Sequence, residues 1–256
     1  MPSSPSPTVH RHPDLEALSR AAARDVAADI RTTLRTQDRY TLALAGGSTP
    51  RRLYELLAAG AEAPLPWSHI HLFWGDERFV PLDHPDSNTH MASDAFIDAV
   101  PIPSDQVHPM PTHLDSPDAA AAAYAETLRQ CLPDRSTTFD TALLGLGGDG
   151  HTASLFPETG TAEERRADEA WVRAVTAPPR HDISDRLTCT LPVLNGARRA
   201  LFLVAGAEKQ GALARVLDRP DSSLPAAQVC PRDALLWYVD AAARPDPAGA
   251  PDGPPR

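Results

Sequence analysis

His151 closes the run Gly147-Gly148-Asp149-Gly150-His151, which follows an apolar stretch from Ala142 to Leu146. Gly145, Gly147, Gly148 and Gly150 let the backbone bend sharply and come close to something. An imidazole delivered by such a turn can move protons near neutral pH. The spacing Gly145-x-Gly147-x-x-Gly150 also fits a dinucleotide fingerprint, which requires a helix straight after the turn and an acid about 20 residues on, closing the next strand. Pro157 leaves little room for that helix, and the next strand candidate, Trp171 to Val175, ends in Thr176. The nucleotide reading is therefore set aside. From this segment alone, a proton-handling histidine and a surface histidine on a plain turn stay about equally open.

Two further segments carry chemistry. Gly46-Gly47-Ser48-Thr49 precedes a helix pattern, so free N–H groups and the helix dipole would favour an anion, phosphate above all. It is not a GxxxxGK[ST] loop, and Ser48 is not in a GxSxG elbow. Gly75-Asp76-Glu77-Arg78 gathers two carboxylates and a guanidinium at a strand end. Asp76 reads as a polar or proton-handling group and Arg78 as an anion clamp, with an ordinary surface charge cluster as the alternative. Lys209 is the only lysine in a chain whose other basic residues, histidine apart, are all arginine. A retained lysine suggests a site that needs a compact ammonium rather than a planar guanidinium. His69, His71, His84, His90, His108 and His113 lack a metal-ligand pattern such as HExxH and read as non-catalytic; no metal site is expected.

These groups need a scaffold. Apolar spacing predicts a helix over 14–34, and strands are expected at 40–45, 69–74, 140–146, 170–176, 186–191, 199–204 and 235–239. Helices are expected at 51–59, 87–99, 207–217 and, capped by Ser116-Pro117, to about Leu132. Strands alternating with helices imply an α/β fold with a mostly parallel sheet and helices on both faces. In such a sheet, ligands bind beyond the carboxyl ends of the strands, and the turns 46–49, 75–78 and 147–151 would meet there if their strands are neighbours. Residues 1–9 and 244–256 are rich in Pro, Ser, Gly and Asp and read as disordered tails, leaving a single domain over 10–243.

Composition narrows the partners. The 256 residues carry a formal net charge of −10 with 42% hydrophobic content, which supports a substantial core and argues against a nucleic-acid footprint or a polybasic membrane patch. No stretch approaches the roughly 18 apolar residues of a membrane span, and the N-terminus lacks an apolar signal core. Cys131, Cys189 and Cys230 are scattered and odd in number. They read as core thiols in a reducing cytoplasm rather than a disulfide framework or zinc site.

Taken in order, Leu44-Ala-Gly-Gly-Ser-Thr-Pro50, Trp74-Gly-Asp-Glu-Arg-Phe-Val-Pro81, Asp86-Ser-Asn88, Gly145-Leu-Gly-Gly-Asp-Gly-His-Thr-Ala-Ser-Leu-Phe-Pro157, Arg186-Leu-Thr-Cys-Thr-Leu-Pro192 and Ala207-Glu-Lys-Gln210 resemble the 6-phosphogluconolactonases. The resemblance spans about residues 14–240. It implies a three-layer α/β/α, Rossmann-like fold shared with glucosamine-6-phosphate deaminases and ribose-5-phosphate isomerases. It also implies hydrolysis of 6-phospho-D-glucono-1,5-lactone to 6-phosphogluconate in the oxidative pentose phosphate pathway, without an obligatory cofactor. Under it, His151 is the base that activates water and then returns the proton to the ring oxygen. Asp76 would orient His151 or the sugar hydroxyls. Gly46, Gly47, Ser48, Thr49, Arg78 and Lys209 would hold phosphate and sugar oxygens, with Arg186 a further candidate. The implied partner is a small sugar-phosphate lactone, with no nucleic acid or membrane, and a monomer or weak homo-oligomer. Many relatives carry proline where this chain has Gly148, so the turn before His151 is expected to be looser. The deaminase branch continues its Asp-Gly-His motif to a glutamate that supports ring opening; Phe156 stands in that place here. A non-catalytic sugar-phosphate sensor on the same fold would usually carry an added DNA-binding module, for which this chain leaves no room.

Overall fold

The computed structural model describes residues 5–60, 64–218 and 223–244. Their order is β1 (Thr8–His12), α1 (Leu15–Thr33), β2 (Tyr40–Leu44), α2 (Ser48–Ala58), β3 (Ile70–Trp74), β4 (Asp76–Arg78), α3 (Asn88–Ala95), α4 (Pro117–Cys131), β5 (Thr141–Gly145), α5 (Ala162–Ala167), β6 (Val172–Thr176), β7 (Asp185–Cys189), α6 (Leu191–Asn195), β8 (Arg199–Val204), α7 (Gln210–Leu217) and β9 (Ala234–Asp240), with short 3-10 turns between several of them. Six strands form a parallel sheet in the order β1-β9-β8-β5-β2-β3. Helices flank it in the expected three-layer α/β/α arrangement. Every residue of β2 and β8 is buried, which is why both are mostly apolar on the two faces rather than alternating.

The helices begin where the sequence places caps. Asp14 accepts from Ala17 N at 2.8 Å to start α1, whose Leu18, Ala22, Val26 and Ile30 face the core. Ser116 accepts from Ala119 N at 3.2 Å, with Pro117 as the first residue of α4. Thr161 and Glu164 cap each other's backbone to start α5, a helix the apolar pattern misses although the T-x-x-E capping box announces it.

Three expectations change. The segment read as a tail through residue 9 already contains the start of β1, where Thr8 and Val9 pair with Leu236 and Trp237. Thr-Val-His-Arg-His shows no core-facing run; parallel pairing and the stacking of His10 on Tyr238, at 4.8 Å between ring centroids, hold it instead. Residues 1–4 and 245–256 of the expected tails lie outside the described residues, whereas Arg244 pairs with Asp218 at 2.6 Å. Second, the 75–78 turn contains a strand: β4 joins β7 and β6 in a separate antiparallel sheet, β4-β7-β6. A three-residue polar strand leaves no periodic signal. Third, of the cysteines only Cys189 is fully buried; Cys131 and Cys230 are partly exposed, and all three are unbridged. Among the described residues no helix is long and apolar enough to cross a membrane.

One pair on the sheet edge carries a pH prediction. His71 Nδ1 lies 3.2 Å from His108 Nε2, and His108 stacks on Phe73. Burial first, then the neighbouring His71, push His108 down to about 4. The unfolded chain, with an ordinary imidazole, therefore binds more protons than the folded one below about pH 6.5. The associated stability is present above that pH and lost as pH falls toward 4. The His108→Leu variant is expected to lose less stability than wild type between pH 7 and 4.5 in urea unfolding; equal losses would remove His108 from the effect.

Candidate active site

The chain order puts β3 to one side of β2 and β5 to the other. The crevice between β2 and β5 is thus the point where strand order reverses, and the carboxyl ends of β2, β3, β5 and β8 open onto it. Such crevices are the ligand sites of doubly wound sheets. A cleft of about 370 Å³ lies there, and its lining includes Gly46, Gly47, Ser48, Thr49, Asp76, Arg78, His151, Arg186 and Lys209. All nine residues singled out in the sequence therefore share one cavity.

The turn after β5 is built around the imidazole. Gly147 N donates to His151 O at 2.8 Å and Gly150 N to Gly147 O at 2.9 Å. A Cβ on Gly147 would lie 2.1 Å from His151 Nδ1, so a side chain there would expel the ring. Gly150 has φ +92°, and a Cβ on it would meet Leu224 at 2.8 Å. Two residues past His151, Ala153 holds φ +48° in the cleft wall; an alanine in this region is strained, as residues near functional sites sometimes are. At Gly148 a Cβ would make only an ordinary contact, 3.6 Å from Glu208 O.

Asp149, not Asp76, orients His151. His151 Nδ1 and Asp149 Oδ1 are 2.6 Å apart, and His151 N donates to the same oxygen at 3.1 Å. A carboxylate two residues back in a closed turn reaches the ring without any help from β4. Asp149 also pairs with Arg180, whose guanidinium is shared with Glu158 at 2.9 Å. Burial would raise the Asp149 carboxyl, but hydrogen bonds from His151 first and from Arg180 outweigh it and hold the group well below the usual carboxylate range. With Nδ1–H donated to Asp149, Nε2 is the ring nitrogen left to accept a proton. Phe156 packs against the imidazole at 4.9 Å between centroids.

Asp76 lines the cleft but is tied elsewhere. Its Oδ2 accepts from Ser154 Oγ at 2.6 Å, and its backbone oxygen accepts from Asn88 Nδ2 at 2.9 Å. Glu77, next along β4, points the other way and is fully buried. It accepts from the backbone N–H groups of Arg78, Asn88 and Thr89 at 2.7–2.8 Å and from the hydroxyls of Ser87 and Thr89. It is a structural carboxylate that binds β4 to the start of α3.

The cations cluster opposite. Antiparallel pairing of β4 with β7 sets Arg78 directly across from Arg186. Like charges so placed repel. Arg186 is held below the ordinary arginine range by burial first and by Arg78 second. An anion between the two guanidiniums relieves that repulsion. Arg78 Nη1 donates to Asp86 O and Arg186 Nε to Ile183 O, which fixes both side chains. Helix α2 begins at Ser48 after Gly47, at φ +98°, with no side-chain cap, so its first N–H groups open into the cleft. Lys209 lies in the 3-10 turn before α7, its Nζ 3.9 Å from Glu208. In a chain of net charge −10, this local excess of cations is favourable for an anion.

Sequence reasoning assigned no role to His181, Arg180, Asn88 or Ser154. Asn88 and Ser154 sit inside motifs already noted. His181 and Arg180 lie on the loop between β6 and β7, which carries no motif and reaches His151 only through the second sheet.

The sequence pattern of the glucosamine-6-phosphate isomerases/6-phosphogluconolactonase family matches residues 13–237. A 6-phosphogluconolactonase of Nostoc sp. is 42% identical over 241 residues, covering 92% of this chain and 96% of its own. A crystal structure of 6-phosphogluconolactonase from Thermotoga maritima superposes with a TM-score of 0.80 at 31% identity, covering 92% of this chain and 100% of that one. A monomeric glucosamine-6-phosphate deaminase shares the fold, with a TM-score of 0.76 at 22% identity over 92% of this chain and 98% of its own.

Proposed function

The chain belongs to the glucosamine-6-phosphate isomerases/6-phosphogluconolactonase family, and from that membership we propose that it hydrolyses 6-phospho-D-glucono-1,5-lactone to 6-phosphogluconate, as in the oxidative pentose phosphate pathway. The observation that carries this reading is the pairing, within one cleft, of the Asp149-oriented His151 with the anion subsite of α2, Arg78, Arg186 and Lys209.

The chemistry follows from the two ends of the cleft. The substrate phosphate lies among the α2 N–H groups and the cations, and the lactone carbonyl then faces His151. Nε2 of His151 takes a proton from water as the water oxygen bonds to the carbonyl carbon. Collapse of the tetrahedral adduct breaks the bond to the ring oxygen, and the imidazolium returns its proton to that oxygen. Asp149 holds the tautomer and stabilises the imidazolium while it exists; it positions rather than reacts. Asp76, fixed by Ser154, is placed to accept from a sugar hydroxyl. Phe156 against the ring offers no proton relay of the kind a deaminase needs for ring opening, which favours the hydrolase branch.

The direct test is hydrolysis of freshly generated 6-phosphogluconolactone, coupled to 6-phosphogluconate dehydrogenase and read against the spontaneous background. A rate no faster than background would overturn the proposal. A second result separates binding from chemistry. Lys209→Ala is expected to raise KM by about 10–100-fold, the worth of one charged hydrogen bond, with a smaller change in kcat. Phosphate contacts are made in ground and transition states alike, so their loss appears in KM. An unchanged KM removes Lys209 from the phosphate subsite.

A further inference from the structure

The loop between β6 and β7 brings a second imidazole to His151. The rings of His151 and His181 meet edge-on, 5.4 Å between centroids, and Asp149 completes the group. One side-chain donor atom from each of Asp149, His151 and His181 lies within 4.8 Å of the others. No other group of three or more such residues among the described residues is this close. His181 Nε2 is buried and has no hydrogen-bond partner among the described residues, a costly state for a ring nitrogen unless something binds it.

We propose that Asp149, His151 and His181 form a binding site for a borderline divalent cation, Zn²⁺ being the best match, and that occupancy reversibly blocks the enzyme. Two imidazoles and one carboxylate are a donor set that suits Zn²⁺ and its neighbours rather than Mg²⁺ or Ca²⁺. Bonds of about 2.0–2.2 Å to nitrogen and oxygen require the three groups to close in slightly. His181 supplies that movement, since it rides on a connection closed at its base by Ala177 N donating to Ser184 O. The three residues are each partly buried, and His151 and His181 line the cleft wall, so water can fill the remaining coordination position.

The local charges set the cost. Arg180 and Arg186 both lie close to His181, and cations oppose a dication. Arg180, however, has an alternative anchor in Glu158, so it can remain there while Asp149 turns one oxygen to the metal. The local sequence gives no hint of this cluster, because His181 lies 30 residues beyond His151 and only the pairing of β7 with β4 folds its loop back over the site.

The blocking half of the proposal rests on His151 being the base; the binding half does not, and the test separates them. Chelator-stripped full-length protein is titrated with Zn²⁺ in competition with a zinc indicator dye, alongside His181→Ala and the exposed control His113→Ala. One Zn²⁺ per chain is expected for wild type and His113→Ala, with more than about 10-fold weaker binding for His181→Ala, since even outer-shell partners of a metal are worth about that much. Lactonase rate in each protein, relative to its own metal-free rate, should fall with Zn²⁺ and recover with EDTA, at higher Zn²⁺ in His181→Ala. Absent binding, or equal affinity in His181→Ala, overturns the site. Binding at His181 without loss of lactonase rate leaves the site standing and overturns the block, and with it the role of His151.

Discussion

His151→Ala is expected to lower kcat for 6-phosphogluconolactone hydrolysis by about 10²–10⁴-fold, the range of general acid–base help, with the thermal midpoint close to wild type. The site explains both halves. The imidazole is partly exposed, with 22% of its side chain accessible, and its contacts are to Asp149, Phe156 and His181, so truncation removes little core packing. The backbone of the turn closes without the ring, through Gly147 N to His151 O and Gly150 N to Gly147 O. Under the proposed mechanism, what disappears is the acceptor for the water proton and the donor for the ring oxygen. KM should change less than kcat, because under the proposed function the phosphate is held by the N–H groups of α2 and by cations of β4, β7 and the turn before α7, all of which the variant keeps. The measurement is the coupled assay for both proteins, with the spontaneous rate subtracted. A kcat within a few-fold of wild type would falsify the assignment of His151 as base, and would direct attention to a water held by Asp76 and Ser154.

The second large effect concerns stability. Glu77→Ala is expected to destabilise the fold by about 4 kcal/mol, and Glu77→Gln by about 2 kcal/mol. The carboxylate is fully buried and is the partner of three backbone N–H groups and two hydroxyls. Each buried donor left unpaired costs about 1–3 kcal/mol. Alanine orphans all of them and opens a cavity. Glutamine keeps one acceptor oxygen, and the Ser87 and Thr89 hydroxyls can rotate to accept from its amide, so Thr89 N is the main loss. Two of the three N–H groups belong to the first turn of α3, where a negative charge also complements the helix dipole. Urea midpoints at constant slope read the difference. If Ala and Gln behave alike, the hydrogen bonds are not the cause. A loss below about 1 kcal/mol in both would mean that water replaces the carboxylate.

Glu77 also marks the limit of what the local sequence shows. Within Gly75-Asp76-Glu77-Arg78 the two acids look equivalent, and a surface charge cluster is a fair reading. In the structure the alternation of a short strand sends Asp76 to the cleft and Glu77 into the protein, against α3. The strand exists only because β7, more than a hundred residues later, pairs with it. The same pairing sets Arg186 opposite Arg78, which gives this secondary candidate a partner in the proposed anion subsite.

Legible in the chain were the parallel sheet, the cap of α4, the glycine turn that presents His151, and the three strand-end loops that meet at one edge. These are local effects: apolar runs buried on two faces, side chains that satisfy helix N–H groups, and glycines where a Cβ would collide. The partner of His151 was not legible in this way: the family resemblance offered Asp76 for His151 or the sugar hydroxyls, and the hydrogen-bond geometry pairs the ring with Asp149 instead. Tertiary structure alone decided the second sheet, the paired arginines and the approach of His181 to His151. Each depends on the antiparallel pairing of β4 with β7, short strands more than a hundred residues apart. Such strands have too few residues to show a period and too little apolar surface to announce a face, so their partners become visible only once the larger sheet has fixed where their ends must lie.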